Sequence, residues 1–314
     1  MFTTRSLGHA ARTALVVLPF AAMACRPDDE SSSPTIRVAE ASEPETPPAV
    51  TPAPTGPELV TAVVSDVAFE TGDDAYKAGK FREAARLYRL HASTKPTDAH
   101  GFYMLGLASW KGGDFEGARS AFDKSIALDS GFAKSYFNAA RVLLDMKRAP
   151  EALELVVRGL TIDSTSPDGW RLRARAQSEN GDVFAATETY KAMLMNDDAD
   201  AWGLNNYGMF LLSHNCVQES LGPLARAVQV RPTAPLFLNN FGMALERAGY
   251  LLTALTYYEA AVRHDSTFSK AVRNAERLRN VEVDASAPRD VNVAAIAEEF
   301  RLKVKGWKAE TTPR

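Results

Sequence analysis

Cysteine is nearly absent from this chain, with only Cys25 and Cys216 among 314 residues. A fold held together by several disulfide bonds is therefore excluded. An excess of charge of one sign is missing too, because 36 Lys and Arg oppose 39 Asp and Glu, which leaves a net charge of -3. Such a balance implies no general affinity for nucleic acids. The hydrophobic share of 46% is nevertheless enough to build a sizeable core.

Signatures of catalysis and of metal binding are also lacking. The five histidines do not pair with one another or with Cys at metal-ligand spacing. The sequence has no glycine-rich phosphate loop and no nucleophile elbow. The stretch that follows residue 280 is too short to fold as a catalytic domain. We therefore expect no enzyme, no catalytic residue, no metal site and no small-molecule cofactor.

What the chain does contain is a sequence unit repeated six times without insertion or deletion, followed by a half-unit from Ser269. The units span 65–98, 99–132, 133–166, 167–200, 201–234 and 235–268. Positions 8, 20 and 27 of a unit carry Gly, Ala or Ser in sixteen of eighteen cases. Repetition at this period predicts a stack of like units, each of which buries its apolar face on its neighbours.

Each unit is predicted to hold two helices. In unit two, Phe102 and Leu105 lie at helical spacing, and Ala118 and Phe122 do so again after Gly113. Gly holds position 15 in four units and suits a residue that leaves the helix with positive φ. Small residues at position 8 let the two helices approach closely, and a large residue at position 24 is expected to fill the space beside them.

This pattern resembles the tetratricopeptide repeat, a family whose period is the same, about 34 residues. The matching residues are Phe102, Leu105, Gly106, Ala118 and Phe122 in unit two, Tyr207 and Gly208 in unit five, and Leu238, Phe241, Gly242, Ala254, Tyr258 and Ala261 in unit six. The resemblance implies an all-α solenoid over 59–280, a right-handed superhelix of six helical hairpins with a capping helix at 269–280. Arg173, at a core-type position, and His91, at a small-residue position, depart from the pattern.

The first 24 residues resemble the signal peptide of a bacterial lipoprotein. Two arginines precede an uncharged apolar run from Ala14 to Ala24, which is too short to span a bilayer comfortably. In such signals, cleavage leaves the following cysteine, here Cys25, as the lipid-bearing N-terminus. The alternatives are an ordinary secretory peptide cut near Ala24 or an uncleaved anchor. If Cys25 is lipidated, no intrachain disulfide is possible.

Residues 25–58 are predicted to be a disordered tether. Residues 26–58 hold eight prolines, and seven acidic residues against two arginines, with no apolar periodicity. Such a tether would let an anchored domain work at a distance from the bilayer. We expect a lipid-anchored protein of the bacterial cell envelope with its domain in the periplasm. Arg26 after the cysteine, rather than Asp, favours the outer membrane over the inner one.

Residues 281–314 are predicted to form a linker, a short amphipathic helix and a flexible tail. Val293, Ile296, Phe300 and Val304 recur at spacings of three and four, which is typical of one helix face. One interpretation packs this helix on the last repeat. The other places it on a partner or in the groove of the superhelix.

The resemblance also implies that the first helix of each unit lines a concave groove, with positions 2, 5, 9 and 12 facing it. The candidate groove residues are Phe69, Tyr103, Phe137, Arg141, Arg171, Arg175, Asn205, Met209, Asn239, Met243, Arg273 and Arg277. Guanidinium groups clamp carboxylates, and asparagines hydrogen-bond an extended backbone. We therefore expect a protein or peptide partner with an acidic stretch at the three central arginines. The alternative is that these arginines are solvated, or paired with acids such as Asp145 and Glu179.

Together these features predict a membrane-anchored protein–protein interaction scaffold. The stretch from Asn205 to Leu212 resembles lipoproteins that help to assemble type IV pilus secretins, so we expect a role in pilus, secretin or other envelope-complex assembly. The alternative is a glycan-binding or polysaccharide-export component, in which Tyr103, Phe137 and Trp110 would stack on sugar rings.

Overall fold

The computed structural model describes residues 56–281 and 291–311. The predicted signal peptide, the predicted lipid-bearing Cys25 and most of the predicted tether lie outside these ranges, as do residues 282–290 and 312–314. Within the described ranges all regular structure is helical. None of the helices found there combines the length and the apolar character needed to cross a membrane.

Fourteen helices occupy the described residues, and twelve of them pair into six hairpins. The hairpins are α1 (Gly56–Lys77) with α2 (Phe81–Thr94), α3 (Ala99–Lys111) with α4 (Phe115–Leu128), α5 (Ala133–Asp145) with α6 (Ala149–Ile162), α7 (Pro167–Glu179) with α8 (Val183–Asn196), α9 (Ala201–Ser213) with α10 (Val217–Val230), and α11 (Pro235–Arg247) with α12 (Leu251–His264). The capping helix α13 (Ser269–Arg279) and the C-terminal helix α14 (Val293–Thr311) follow. The predicted fold class, an all-α solenoid of six hairpins with a capping helix, is confirmed.

A residue in the left-handed region ends the turn inside every hairpin. At position 15, φ is 74° at Gly79, 86° at Gly113, 85° at Gly181 and 89° at Gly249, and it is 63° at Lys147 and 60° at Asn215. Glycine adopts this conformation freely, whereas a residue with a Cβ atom is strained there by about 1–2 kcal/mol. The positive φ is thus required by the hairpin itself, because two units have it at position 15 without a glycine there.

Close approach of the two helices explains the glycines at position 8. A Cβ atom added to Gly106 would lie 2.6 Å from the ring of Phe122, and one added to Gly242 would lie 2.8 Å from the ring of Tyr258. Phe122 and Tyr258 both hold position 24 and are fully buried. A larger residue at position 8 would therefore force the helices apart or displace the ring.

His91, the first departure from the repeat pattern, is buried because both of its ring nitrogens have polar partners. Nε2 lies 2.7 Å from Asp98 Oδ2, and Nδ1 lies 2.9 Å from Ser65 Oγ. Burial acts to raise the pKa of Asp98, but hydrogen bonds from His91 and from the backbone N–H groups of Gly101 and His100 lower it overall. Ser65 is fully buried. This Ser–His–Asp set therefore joins α1 and α2 of unit one to the residue that caps α3, and its serine and histidine are buried.

Arg173, the second departure, lies against an aromatic ring. Its guanidinium carbon is 5.2 Å from the centroid of the Trp170 ring, which is within the range of a cation–π contact. The side chain is partly buried, and its Nε atom is buried without a hydrogen-bond partner among the described residues.

The first helices of the units form the inner side of the solenoid. From α3 to α13, neighbouring first helices contact each other, whereas neighbouring second helices make no comparable contact within the described residues. Because the first helices lie closer together, they line the concave face, and the second helices form the outer face.

The C-terminal helix α14 packs on the outer face, against α10 and α8 of units five and four. Its residues Ala297, Phe300 and Val304 are buried. A Cβ atom added to Gly222 of α10 would lie 2.9 Å from the Phe300 ring, and unit five is the one repeat with glycine at its position 22. The expectation that this helix packs on the last repeat is therefore wrong, and the groove does not hold it either. Because Gly222 has no side chain, the Phe300 ring can pack directly against the backbone of α10.

Candidate binding surface

Two of the three central arginines each form a salt bridge with a carboxylate on the concave face. Arg141 Nη2 donates to both carboxylate oxygens of Asp168, at 2.8 and 2.6 Å. Arg171 Nη1 donates to both oxygens of Asp200, at 3.0 and 2.9 Å. The first pair joins α5 to α7, and the second joins α7 to the residue that precedes α9. The first pair therefore ties unit three to unit four, and the second fixes the end of unit four at the point where α9 begins.

Arg175 completes this set. We call the three arginines and their carboxylate partners the arginine cluster. Arg175 donates to Glu179 at 2.7 Å and to Asp145 at 3.2 Å, and Asp145 also accepts from Trp110 Nε1 at 2.8 Å. Burial acts to lower the pKa of Arg175, but its hydrogen bonds to Glu179 and Asp145 outweigh that effect and raise the pKa. Three guanidinium groups thus face four carboxylates, so the cluster is ion-paired rather than a free basic patch.

Phe137, predicted to line the groove, belongs to the core and is only 3% exposed. A Cβ atom added to Gly159 would lie 2.5 Å from its ring, and one added to Gly169 would lie 2.7 Å away. The two glycines therefore provide the space into which the ring turns. The placement of Phe137 in the groove is wrong, and its ring is not available to stack on a ligand.

Asn205 and Asn239 are also buried, and their amides are hydrogen-bonded within the protein. Asn240 Nδ2 donates to Asn205 Oδ1, and Asn274 Nδ2 donates to Asn239 Oδ1, both at 2.9 Å. Each pair is separated by 35 residues, which joins one position of a unit to the next position of the following unit. The amides tie α9, α11 and α13 together. These two oxygens are therefore already engaged and do not face a partner's backbone, contrary to the expectation.

The other predicted residues keep exposed surface on the concave face. Phe69, Tyr103, Met209 and Met243 are partly exposed, and Arg273 and Arg277 are exposed. Arg277 Nη1 pairs with Glu246 Oε1 at 2.6 Å. Burial acts to raise the pKa of Glu246, but hydrogen bonds from Arg277 and Tyr258 lower it overall. The C-terminal end of the face is thus partly ion-paired as well.

Trp202, which the sequence interpretation did not select, is an exposed aromatic side chain on the concave face. It is 43% exposed, and Leu236 at the same position of the next unit is 37% exposed. The Trp202 ring meets the Phe237 ring edge-on, with centroids 5.0 Å apart. Trp202, Leu172 and Asn206 line a recess of about 340 Å³ together with the three arginines of the cluster and Asp168. Position 2 was among the positions expected to face the groove, so the signal was present in the sequence.

This arrangement is suited to binding. Within the parts of the chain that the structure describes, no group of three or more His, Cys, Asp or Glu side chains is placed to hold a metal ion. The surface instead combines an apolar patch, a recess and fixed charges of both signs, which are the elements of a protein-recognition site.

The fold and the surface define a class of protein, an α-solenoid whose repeated hairpins present one continuous concave face. Two family profiles described as Tetratricopeptide repeat match residues 69–133 and 109–176. These matches cover residues 69–176, and the hairpins continue in the same unbroken register on either side, so the findings support a tetratricopeptide repeat protein.

Known proteins with similar structures or sequences agree with this assignment. A tetratricopeptide repeat protein from Parabacteroides merdae ATCC 43184 has a TM-score of 0.61 at 10% identity, over 71% of this chain and 85% of that one. A thermophilic repeat protein of Thermus thermophilus has a TM-score of 0.51 at 16% identity, over 58% of this chain and 99% of that one. Stress-induced-phosphoprotein 1 of Caenorhabditis elegans is 24% identical over 166 residues, 51% of this chain and 50% of that protein. This chain thus covers about half the length of that curated relative.

Proposed function

We propose that this protein is a membrane-anchored interaction scaffold of the bacterial cell envelope that binds a segment of a protein partner on its concave face. The tetratricopeptide repeat fold supports a protein–protein interaction scaffold. The recess beside Trp202 is the observation that carries the proposal. An exposed tryptophan next to a partly buried, charged rim has the composition of an interface hot spot.

The chemistry of the recess favours a partner that places an apolar side chain against Trp202 and Leu236. The adjoining arginines hold their carboxylates through hydrogen bonds at 2.6–3.2 Å. An acidic stretch on the partner would have to displace Asp168 or Asp200 to reach them. We therefore propose that the arginine cluster orients the partner, and that the apolar contact supplies most of the affinity. An acidic partner segment is the competing proposal.

Replacing Trp202 tests this division of roles. Truncating a central interface tryptophan typically costs about 2 kcal/mol or more, so Trp202→Ala is expected to weaken binding roughly 30-fold. The partner is the protein that co-purifies with the full chain carrying its native tether, and affinity is measured by titration calorimetry. Phe184→Ala is the matched control, because Phe184 is 69% exposed on α8 of the outer face. Equal affinities for the two variants would refute the proposed site.

A charge-reversal variant separates the two kinds of partner. Arg171→Glu combined with Arg175→Glu is expected to weaken binding less than Trp202→Ala does if the contact is mainly apolar. If this double variant abolishes binding while Trp202→Ala leaves it intact, the partner segment is acidic and the arginines clamp it. Circular dichroism at 222 nm verifies that both variants remain helical.

We propose that the anchor is a lipid on Cys25, that the tether runs from residue 25 to residue 55, since α1 already begins at Gly56, and that the domain lies in the periplasm at the outer membrane. The support is the apolar run that ends at this cysteine and the Pro-rich acidic segment after it. Cells are labelled with radioactive palmitate, using the native gene and a Cys25→Ser variant. Label is expected only in the native protein. An unlabelled native protein would rule the lipid anchor out.

A role in assembling a pilus, a secretin or another envelope complex follows from combining the anchor with the scaffold. A glycan-binding role has less support, because two of the three rings expected to stack on sugars are buried or already contact cations. The Trp110 ring has Lys111 Nζ at 4.6 Å and the Arg141 guanidinium carbon at 5.6 Å from its centroid, and Phe137 is buried. Genes for pilus or secretin components beside this gene favour the first role, and glycosyltransferase genes favour the second.

A further inference from the structure

A second set of aromatic side chains covers the concave face of units one and two, away from the recess at Trp202. We call it the aromatic face, and its members are Phe69, Tyr76, His100, Tyr103 and Trp110. The His100 ring has its centroid 5.9 Å from that of Phe69 and 5.9 Å from that of Tyr103, on which it stacks. His100 is exposed, and the other four side chains are partly exposed. The N-terminal part of the groove is therefore an aromatic-lined surface.

The chain itself supplies a segment whose chemistry fits such a surface. Residues 44–55, directly before α1, contain five prolines: Pro44, Pro47, Pro48, Pro52 and Pro54. This composition favours the polyproline II conformation, which aromatic-lined grooves recognise at low entropic cost. The segment is preceded by Glu40 and Glu43, and the first helices α3 and α5 carry the exposed lysines Lys111 and Lys134. These two lysines offer partners for the two acidic residues.

The connection is long enough for the segment to reach the aromatic face. The chain enters α1 at Gly56, and the helical stretch from there to Phe69 spans roughly 20 Å. The segment 44–55 spans about 37 Å at ~3.1 Å per residue in the polyproline II conformation. Because the segment is covalently attached, its effective concentration at this face is of the order of millimolar. Weak contacts are therefore sufficient to hold it.

We infer that residues 44–55 of this chain pack on the aromatic face, with the preceding acidic residues beside Lys111 and Lys134. The segment then covers the N-terminal part of the groove, at units one and two, and leaves the recess at Trp202 open. The inference rests on the proposed function in one respect only. A partner that extends along the whole groove would have to displace this segment.

Photo-crosslinking in the full chain tests the packing without any partner. A photoreactive amino acid is placed at Ala49, inside the Pro-rich stretch, or at Ser32, as a control in the same N-terminal segment. After illumination at low protein concentration, cross-linked peptides are identified by mass spectrometry. Position 49 is expected to cross-link within its own chain to peptides of α1 and α3, at least fivefold more than position 32. Equal or absent cross-linking from the two positions would overturn the inference.

Variants of the aromatic face link the cross-link to its rings. His100→Ala and Tyr103→Ala are each expected to reduce the yield from position 49 severalfold, and Phe184→Ala on the outer face is expected to leave it unchanged. His100 is exposed, so its variant serves even if Tyr103→Ala impairs folding. The inference is overturned if His100→Ala leaves the yield unchanged. It is also overturned if, in a mixture of isotopically labelled and unlabelled protein, cross-links form only between different copies. Because Trp202→Ala changes partner binding and not this yield, failure of the proposed function is distinguishable from failure of the inference.

Discussion

Replacing Lys147 by glycine is expected to stabilise the protein, although Lys147 is a surface residue with a salt bridge. Its φ of 63° strains a residue with a Cβ atom by about 1–2 kcal/mol. Glycine removes that strain but costs about 0.5–1 kcal/mol through the greater freedom of the unfolded chain. The Lys147–Glu179 pair, at 3.8 Å with the lysine side chain 79% exposed, contributes no more than about 0.5 kcal/mol. The net gain in the free energy of unfolding is therefore about 0.5 kcal/mol.

Urea unfolding followed by circular dichroism at 222 nm measures this gain, together with a rise in Tm of about 1–2 °C. Asn215→Gly is expected to gain less, because asparagine tolerates positive φ better than lysine does. Lys124→Gly, in the exposed middle of α4, is the control and is expected to lose about 1 kcal/mol. If Lys147→Gly is destabilising, the reasoning that the hairpin turn itself dictates the conformation at position 15 is refuted.

Two further predictions concern the packing of α14 and the junction of units one and two. Gly222→Leu is expected to detach α14, because the new side chain would occupy the site of Phe300, at a cost of about 1–3 kcal/mol. Faster proteolysis near residue 300, with the repeat array intact, would verify the detachment. Unchanged proteolysis would contradict it. The hydrogen bonds that lower the pKa of Asp98 stabilise the fold above pH about 4, and this contribution is lost as the pH falls through the folded-state pKa. Asp98→Asn should therefore be less stable at pH 7, yet lose less stability between pH 5 and 3. Urea unfolding over this range measures it, and an undiminished pH dependence would contradict the role of Asp98.

The hairpins were predictable from the sequence because they depend on local rules that recur in every unit. Position 15 illustrates this, since four glycines there indicated a left-handed turn that Lys147 and Asn215 also adopt. The pairing of a small position 8 with a large position 24 was equally visible, as in Gly106 and Phe122. In each case the partner residue lies within the same unit, so the period alone places the two together.

The surface was less predictable because its contacts join different units. Arg141 and Asp168 are 27 residues apart, and Asn205 and Asn240 are 35 apart. Such a side chain faces solvent only if the neighbouring unit has no polar partner beside it. The sequence of one unit does not reveal which residues of the next unit lie beside it. Phe137 turned inward for a similar reason, since glycines on two other helices provide its space.

The position of α14 shows the same limit. The amphipathic spacing around Phe300 indicated a helix but not the surface that covers it. A glycine followed by proline in the middle of α10, at Gly222 and Pro223, was the available clue. Neither residue favours a helix interior, and a close contact with another element is one reason to find glycine there.

The central claim is that a partner binds the concave face at the recess beside Trp202. Hydrogen exchange of the full chain, measured by mass spectrometry with and without the co-purified partner, tests it most directly. Partner binding there is expected to slow exchange in α5, α7 and α9, which carry the residues that line the recess, and to leave exchange unchanged in α8 and α10 on the outer face. Slower exchange confined to α8, α10 and α14 would contradict it.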